Sequence, residues 1–257
     1  MAVDTLSLEG QVAIITGSGR ENGIGAGIAR ALSRNGALVV LNFVSSSSAA
    51  RAEALAKSMR AAGGKVVVVQ SSVYTLEGSQ FLVNETLKAF GVDRIDILVN
   101  NAGVGYAGGV LGAKPEEIDS MLNTNIKGMI YMCQAAVPHM PSGGRIVNVS
   151  SSASKRGRPA IPIYGATKAA VDSLTWSLSS ELGRSHGITV NAIGPGPVAT
   201  DICPPELLDE VMASEVAETR AADRYGTIED MGDAVLLLVS DKARWITGHY
   251  SAFLEIF

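Results

Sequence analysis

Short β-branched runs alternate with stretches of helical spacing along almost the whole chain, and no other feature restricts the fold as much. The runs are Gln11–Thr16, Ala37–Phe43, Lys65–Gln70, Asp96–Asn100, Arg145–Val149, Ile188–Ile193 and His249–Ile256. Most are apolar throughout rather than alternating, which predicts strands covered on both faces. Ile24, Ile28, Ala31 and Leu32 lie about a turn apart ahead of Gly36, in the place of a helix C-cap glycine. Ala49–Ala62 is made of good helix formers and is stopped by Gly63-Gly64. Ser79–Phe90, Pro115–Val137, Tyr164–Gly183, Pro205–Arg220 and Ile228–Ser240 also read as helices. Strands alternating with helices predict an α/β fold, a doubly wound parallel sheet of about seven strands joined by right-handed crossovers.

Composition supports one large core. The chain has 257 residues, 47% of them hydrophobic, enough to exclude a disordered chain. No repeat or Pro/Gly-rich linker divides it, so residues 1–257 are expected to form a single domain. Lys+Arg 21 against Asp+Glu 25 gives a net charge of -4, and no basic block exists to neutralise a row of phosphates. Nucleic acid is therefore not an expected partner. Cys133 and Cys203 form no C-x-x-C, which argues against a disulfide framework or a zinc knuckle, and no metal-ligand set is read. The opening residues lack the pattern of a signal peptide, and no apolar run approaches the roughly 18 residues of a membrane span. A cytoplasmic protein without a membrane partner is the expectation.

The first strand runs into a glycine-rich turn, Gly17-Ser18-Gly19-Arg20-Glu21-Asn22-Gly23-Ile24-Gly25. Small residues at a strand-to-helix turn let backbone amides approach a pyrophosphate, whose charge meets the helix N-terminus. The strict G-x-G-x-x-G does not fit, because Asn22 takes its third glycine position, and a tight packing turn would read the same way. Strand two ends Phe43-Val44-Ser45-Ser46 without the carboxylate that binds ribose hydroxyls in an NAD site. Hydroxyls at Ser45 and Ser46, with Arg20 nearby, suit a 2′-phosphate instead. The same serines would also serve as N-caps.

Strand four leads into Asn101-Ala102-Gly103, and strand five into Ser150-Ser151-Ser152. Asparagines there can tie neighbouring strand ends, and small residues leave room for a flat ligand. Thirteen residues after Ser151 comes Tyr164-x-x-x-Lys168, which places phenol and ammonium on one helix face. A cation so placed is expected to lower the phenol's pKa from about 10 toward neutrality, making it a proton donor or acceptor. A surface Tyr–Lys pair has the same spacing.

Taken together and in this order, these motifs resemble the short-chain dehydrogenase/reductase family over nearly the whole chain. Asn191-Ala192-Ile193-Gly194-Pro195-Gly196, Arg224-x-Gly226 with Glu229-Asp230, and Ile246-Thr247-Gly248 extend the likeness. The branch is the ketoreductases, including 3-oxoacyl-carrier-protein reductases and fungal naphthol and polyketide reductases. The resemblance implies a Rossmann fold and a catalytic tetrad of Asn125, Ser151, Tyr164 and Lys168. Tyr164 would move the proton, Ser151 would polarise the carbonyl oxygen, and Lys168 would hold the nicotinamide ribose. Asn125 would support a water that links Lys168 to solvent. Gly17, Gly19, Arg20, Gly23, Ile24, Gly25, Phe43, Ser45, Ser46, Ser72, Val73, Asn101, Ala102 and Gly103 would contact the cofactor, as would Pro195, Gly196, Val198 and Thr200. NADP(H) is the expected cofactor, ahead of NAD(H).

Three departures stand out. Five residues, Ser18 to Asn22, separate Thr16-Gly17 from Gly23-x-Gly25, where the family usually has three. That length resembles the enoyl-acyl-carrier-protein reductases, and Glu21 within it would repel a 2′-phosphate unless it faces solvent. Ser72 replaces the usual Asp that holds the adenine amino group. The tail from His249 to Phe257 lacks the usual Asp-Gly-Gly.

Substrate specificity is expected in Val104–Val110, Ala153–Ile163 and a lid at about 201–225. Lys155, Arg156 and Arg158 in the second segment read either as a site for an anionic or carrier-borne substrate or as a solvated loop. The expected reaction is hydride exchange between NADP(H) and a ketone or secondary alcohol, on a medium-sized, polyketide-like or cyclic skeleton. Two alternatives are an NADPH-dependent imine or C=C reductase and a non-catalytic dinucleotide sensor or scaffold. Family likeness also implies a homo-oligomer, dimer or tetramer, through the helices 115–137 and 164–183.

Overall fold

A computed structural model describes residues 6–201, 213, 215–217, 219 and 221–252. Its centre is a sheet of seven parallel strands in the order β3-β2-β1-β4-β5-β6-β7. The strands are β1 (Val12–Ile15), β2 (Leu38–Phe43), β3 (Lys65–Gln70), β4 (Ile97–Asn100), β5 (Arg145–Val149), β6 (Thr189–Gly194) and β7 (Tyr250–Ala252). The helices are α1 (Ile24–Arg34), α2 (Ala49–Ala61), α3 (Leu76–Phe90), α4 (Pro115–Met121), α5 (Gly128–Ala136), α6 (Pro162–His186) and α7 (Ile228–Val239). No described helix is long and apolar enough to cross a membrane.

Side chains of β1 alternate between two apolar layers. Ala13 and Ile15 join Ile28, Leu32, Leu55 and Val235 on the α1, α2 and α7 side. Val12 and Ile14 join Leu82, Met132, Cys133 and Leu182 on the α3, α5 and α6 side. Both faces are dry, which is why the strands need no polar alternation.

Local chemistry fixes the helix ends. Thr75 Oγ1 accepts from Gly78 N at 3.1 Å, so α3 begins three residues before the expected Ser79. Pro162 opens α6 at its first position and left-handed Gly187 (φ 68°) closes it, making it longer than Tyr164–Gly183. The helix expected over Pro115–Val137 is divided. Residues Leu122–Lys127 form a π-turn between α4 and α5, widened where Asn125 turns its amide to distant partners. The helix expected at Pro205–Arg220 and the last residues of the strand expected at His249–Ile256 lie largely outside the described residues.

Candidate active site

Order in the sheet reverses between β1 and β4, leaving a crevice at the strands' carboxyl ends. Polar side chains knit these ends together. Thr16 Oγ1 accepts from Asn101 N and Ala102 N, both at 3.0 Å. Asn101 Nδ2 donates to Thr16 O at 2.8 Å. Asn100 Nδ2 donates to Asn148 Oδ1 at 2.9 Å, and Asn148 Nδ2 to Thr175 Oγ1 at 2.8 Å. The expected tying of strand ends by asparagines is thus present.

Two further residues, given no role at the expected cofactor site, hold the glycine turn. Asn42 accepts from Gly17 N at 3.1 Å through Oδ1 and donates to Ser71 O at 3.0 Å. Ser18 Oγ donates to Ile15 O at 2.7 Å and accepts from Asn42 N at 3.1 Å. A polar residue inside an apolar strand, as Asn42 is in Leu-Val-Val-Leu-Asn-Phe, was the available signal.

The four expected tetrad residues converge from three segments. Ser151 follows β5, and its hydroxyl is hydrogen-bonded to the Tyr164 phenol. Tyr164 lies in the first turn of α6, backed by Gly105, whose Cα leaves space for a Cβ only 3.1 Å from the ring. One turn on, Lys168 Nζ sits 5.6 Å from the ring centre and donates to Val149 O at 2.8 Å. Gly103 backs onto both Lys168 Nζ and Asn125 Oδ1. Asn125 Oδ1 accepts from Val104 N, while Nδ2 donates to Val104 O and Thr167 Oγ1, all at 2.9 Å. Lys168, Asn125, Thr16, Thr124 and Ala102 border a cavity of about 10 Å³, room for a single water.

Electrostatics differ from the expectation in one respect. Burial pushes the Tyr164 phenol up from its ordinary value, and the Ser151 hydrogen bond only opposes it. Burial also lowers the Lys168 ammonium, to about 8, with Asp172 working the other way. Excluding water disfavours both the phenolate and the ammonium.

The cofactor positions were tested against NADP(H) on the residues themselves, and they fit. Gly17 is left-handed (φ 64°), and a Cβ there would lie 2.8 Å from Ala102 Cα, so the turn admits only glycine. Gly19 lies beneath Phe43, Gly23 caps α1, and Ile24 and Gly25 follow in its first turn. Arg20, Ser45 and Ser46 are exposed at the β1 and β2 ends, and no carboxylate stands at Phe43 or Val44. Ser45 Oγ accepts from Ser47 N at 3.3 Å, so its N-cap role is real. Ser72 Oγ is buried without a hydrogen-bond partner beside Val73, a ready contact for adenine. Asn101, Ala102 and Gly103 floor the crevice. Glu21 lies 4.0 Å from Arg30 of α1, which draws its charge to that helix.

Pro195, Gly196, Val198 and Thr200 follow β6. Val198 bridges Gly226 in parallel register, and Ala199 N donates to Gly226 O at 3.1 Å. The Arg224–Asp230 ion pair at 2.7 Å and the Thr227–Asp230 capping box brace that bridge. Arg224, Gly226 and Asp230 therefore support the covering segment rather than touch the crevice through their motif. The lid at about 201–225 falls mostly outside the described residues, with Cys203.

In the basic loop Lys155 is exposed, as a solvated loop would have it, while Lys155 and Arg158 each also find a carboxylate partner. Lys155 lies 3.1 Å from the buried Asp172 carboxylate and 5.0 Å from the centre of the Tyr250 ring. Arg158 pairs with Glu215 at 2.9 Å. Each cation is thus paired with a carboxylate while part of its own side chain stays in solvent.

Comparison with known proteins agrees with this geometry. The profile of the family described as enoyl-(acyl carrier protein) reductase matches residues 17–252. The chain is 38% identical to the short-chain dehydrogenase/reductase FrzI of Cladobotryum sp over 247 residues, covering 94% of this chain and 93% of the relative. It is 32% identical to the hydroxynaphthalene reductase arp2 of Aspergillus fumigatus, covering 95% of this chain and 91% of the relative. A short-chain dehydrogenase of Burkholderia cenocepacia, crystallised with NADP, superposes with a TM-score of 0.87 at 34% identity, covering 96% of this chain and 97% of that one.

Proposed function

The chain belongs to the short-chain dehydrogenase/reductase family, and from that premise we propose that it interconverts a ketone and a secondary alcohol with NADP(H), Tyr164 carrying the proton. The observation that carries this reading is the meeting of Ser151, Tyr164 and Lys168 at the strand ends. When bound, the nicotinamide supplies or accepts the hydride. Ser151 and Tyr164 then hydrogen-bond the substrate oxygen, and Tyr164 donates its proton during reduction. A phenol held protonated by burial is in the state that reduction requires. Lys168 holds the ribose hydroxyls, and Asn125 fixes Val104 and flanks the water-sized cavity through which a proton reaches Lys168.

NADPH is the preferred partner, because Arg20, Ser45 and Ser46 replace the carboxylate of an NAD site. The substrate is a cyclic or polyketide-like ketone, as the name of the hydroxynaphthalene reductase relative encourages. The internal pairing of Lys155 and Arg158 tells against an anionic carrier. A homo-oligomer through α4, α5 and α6, in the cytoplasm, completes the reading.

Tyr164→Phe tests the chemistry. NADPH oxidation on a panel of cyclic ketones should fall by about 10²–10⁴-fold with folding unchanged. Retained turnover would shift the assignment to imine or C=C reduction. Wild-type binding of NADPH without oxidation on any carbonyl would favour a sensor.

A further inference from the structure

The lengthened glycine turn has a structural counterpart far along the chain. Asn22, inside the added stretch, donates from Nδ2 to Asp201 Oδ1 at 3.1 Å. Arg51, in the first turn of α2, forms an ion pair with Oδ2 of the same carboxylate. Arg20 also acts on it, and the Asp201 carboxyl is held below its ordinary value by Arg51, Asn22 and Arg20 against a desolvation cost. Asp201 immediately follows the Pro195–Thr200 segment, which pairs with Gly226.

One guanidinium, Arg51, is paired with this carboxylate, and a second, Arg20, acts on it electrostatically. Arg20 comes from the turn after β1, and Arg51 from α2, five residues along the chain from Ser46. Two guanidiniums flanked by an amide donor and hydroxyls are the donor set that binds a phosphate monoester. A carboxylate can hold the place of such an anion with fewer oxygens and half the charge. It can also give the place up.

We propose that Arg51 joins Arg20 in the seat for the 2′-phosphate of NADP(H), and that Asp201 is an internal anion competing for that seat. Binding of the phosphate takes Arg51 from Asp201 and so ends their ion pair. The longer turn serves this exchange by bringing Asn22 within reach of Asp201. This inference rests on the NADPH preference proposed above.

The test is a fluorescence titration of the purified protein with NADPH and with NADH, for wild type, Arg51→Gln and Asp201→Asn, with thermal melts as the folding control. Both substituted side chains are partly solvent-exposed, at 48% and 24%. Arg51→Gln should weaken NADPH by roughly tenfold and NADH by less than twofold, the scale of one charge-assisted contact at the surface. Asp201→Asn should tighten NADPH by roughly two- to fivefold, the scale of an exposed ion pair, and leave NADH unchanged. Arg51→Lys, which keeps the charge, should recover part of the NADPH affinity. Equal weakening of both cofactors by Asp201→Asn would make Asp201 a strap over any dinucleotide and overturn the competition. No selective effect of Arg51→Gln, in a wild type that prefers NADPH, would remove Arg51 from the seat. A wild type that binds both cofactors alike would overturn the underlying phosphate reading, and this inference with it.

Discussion

Gly194 closes β6 where the Tyr250 ring from β7 crosses it, and this crossing yields a prediction that needs no substrate. A Cβ at Gly194 would lie 2.0 Å from Tyr250 Oη, 2.3 Å from Cζ and 2.7 Å from Cε2. None of these distances is sustainable, so Gly194→Ala must expel the ring. Overpacking of this kind costs about 1–3 kcal/mol. Expulsion also breaks the hydrogen bond from Tyr250 Oη to Ser151 O, 3.1 Å long, for about 1 kcal/mol. Together these give about 2–4 kcal/mol, or a fall of roughly 5–15 °C in Tm for a chain of this size. Tyr250→Val removes the obstacle, so adding Gly194→Ala to it should cost almost nothing. Thermal melts of both single variants and the double variant form a cycle whose coupling should exceed about 1.5 kcal/mol. Additive losses would refute the claimed contact, and so would a Gly194→Ala protein that melts like wild type.

Three more predictions concern the site and its supports. Asn125→Ala strips partners from Val104 and Thr167 in a buried spot and should cost about 2–4 kcal/mol in urea unfolding; a loss below 1 kcal/mol would mean that the π-turn holds itself. Lys168 is lowered by burial to about 8 from an unfolded value of 10.5, so the folded state carries fewer protons between those values and wild-type stability gains as pH rises through them. The advantage of Lys168→Met over wild type should therefore shrink by up to about 3 kcal/mol between pH 8 and 10.5, and a constant difference would exclude a buried ammonium. Asp230 is held near 2 by Arg224 and Thr227 against an ordinary 3.8, so its contribution is complete above 3.8 and lost as pH falls toward 2. After solvent screening of this part-exposed pair, Asp230→Asn should cost about 1 kcal/mol at pH 7 and nothing near pH 2.

Where the determinants are local, the sequence told the truth about structure. Lys65–Gln70 and Arg145–Val149 are strands with the expected bounds, the second buried along its whole length and the first at Val66 and Val69. Ser151, Tyr164 and Lys168 meet as their motif implied. What escaped the sequence depends on partners remote along the chain. The π-turn at Leu122–Lys127 answers bonds from Asn125 to Val104 and Thr167, so no helical periodicity could reveal it. Arg51 and Asp201 are 150 positions apart. The direction of the Tyr164 shift was misjudged for a related reason: spacing reports the neighbouring cation, whereas burial is a property of the whole fold. The charges of Lys155 and Arg158 looked available only because Asp172 and Glu215 arrive from other elements.

The same bonds that stabilise the sheet also define the crevice, which constrains how the site can change. Asn100, Asn148 and Thr175 form one buried chain from β4 through β5 to α6, the helix that carries Tyr164 and Lys168. Removing a member strands its buried partner, a penalty of about 1–3 kcal/mol, and also loosens the spacing between the crevice floor and Tyr164. Stability and geometry therefore fall together at these positions. At Tyr164 they separate, because its phenol's interaction is with Ser151 and not with the ladder. Loss of turnover with full stability is accordingly the signature of a residue that does chemistry here. Loss of both marks one that holds the strand ends in place.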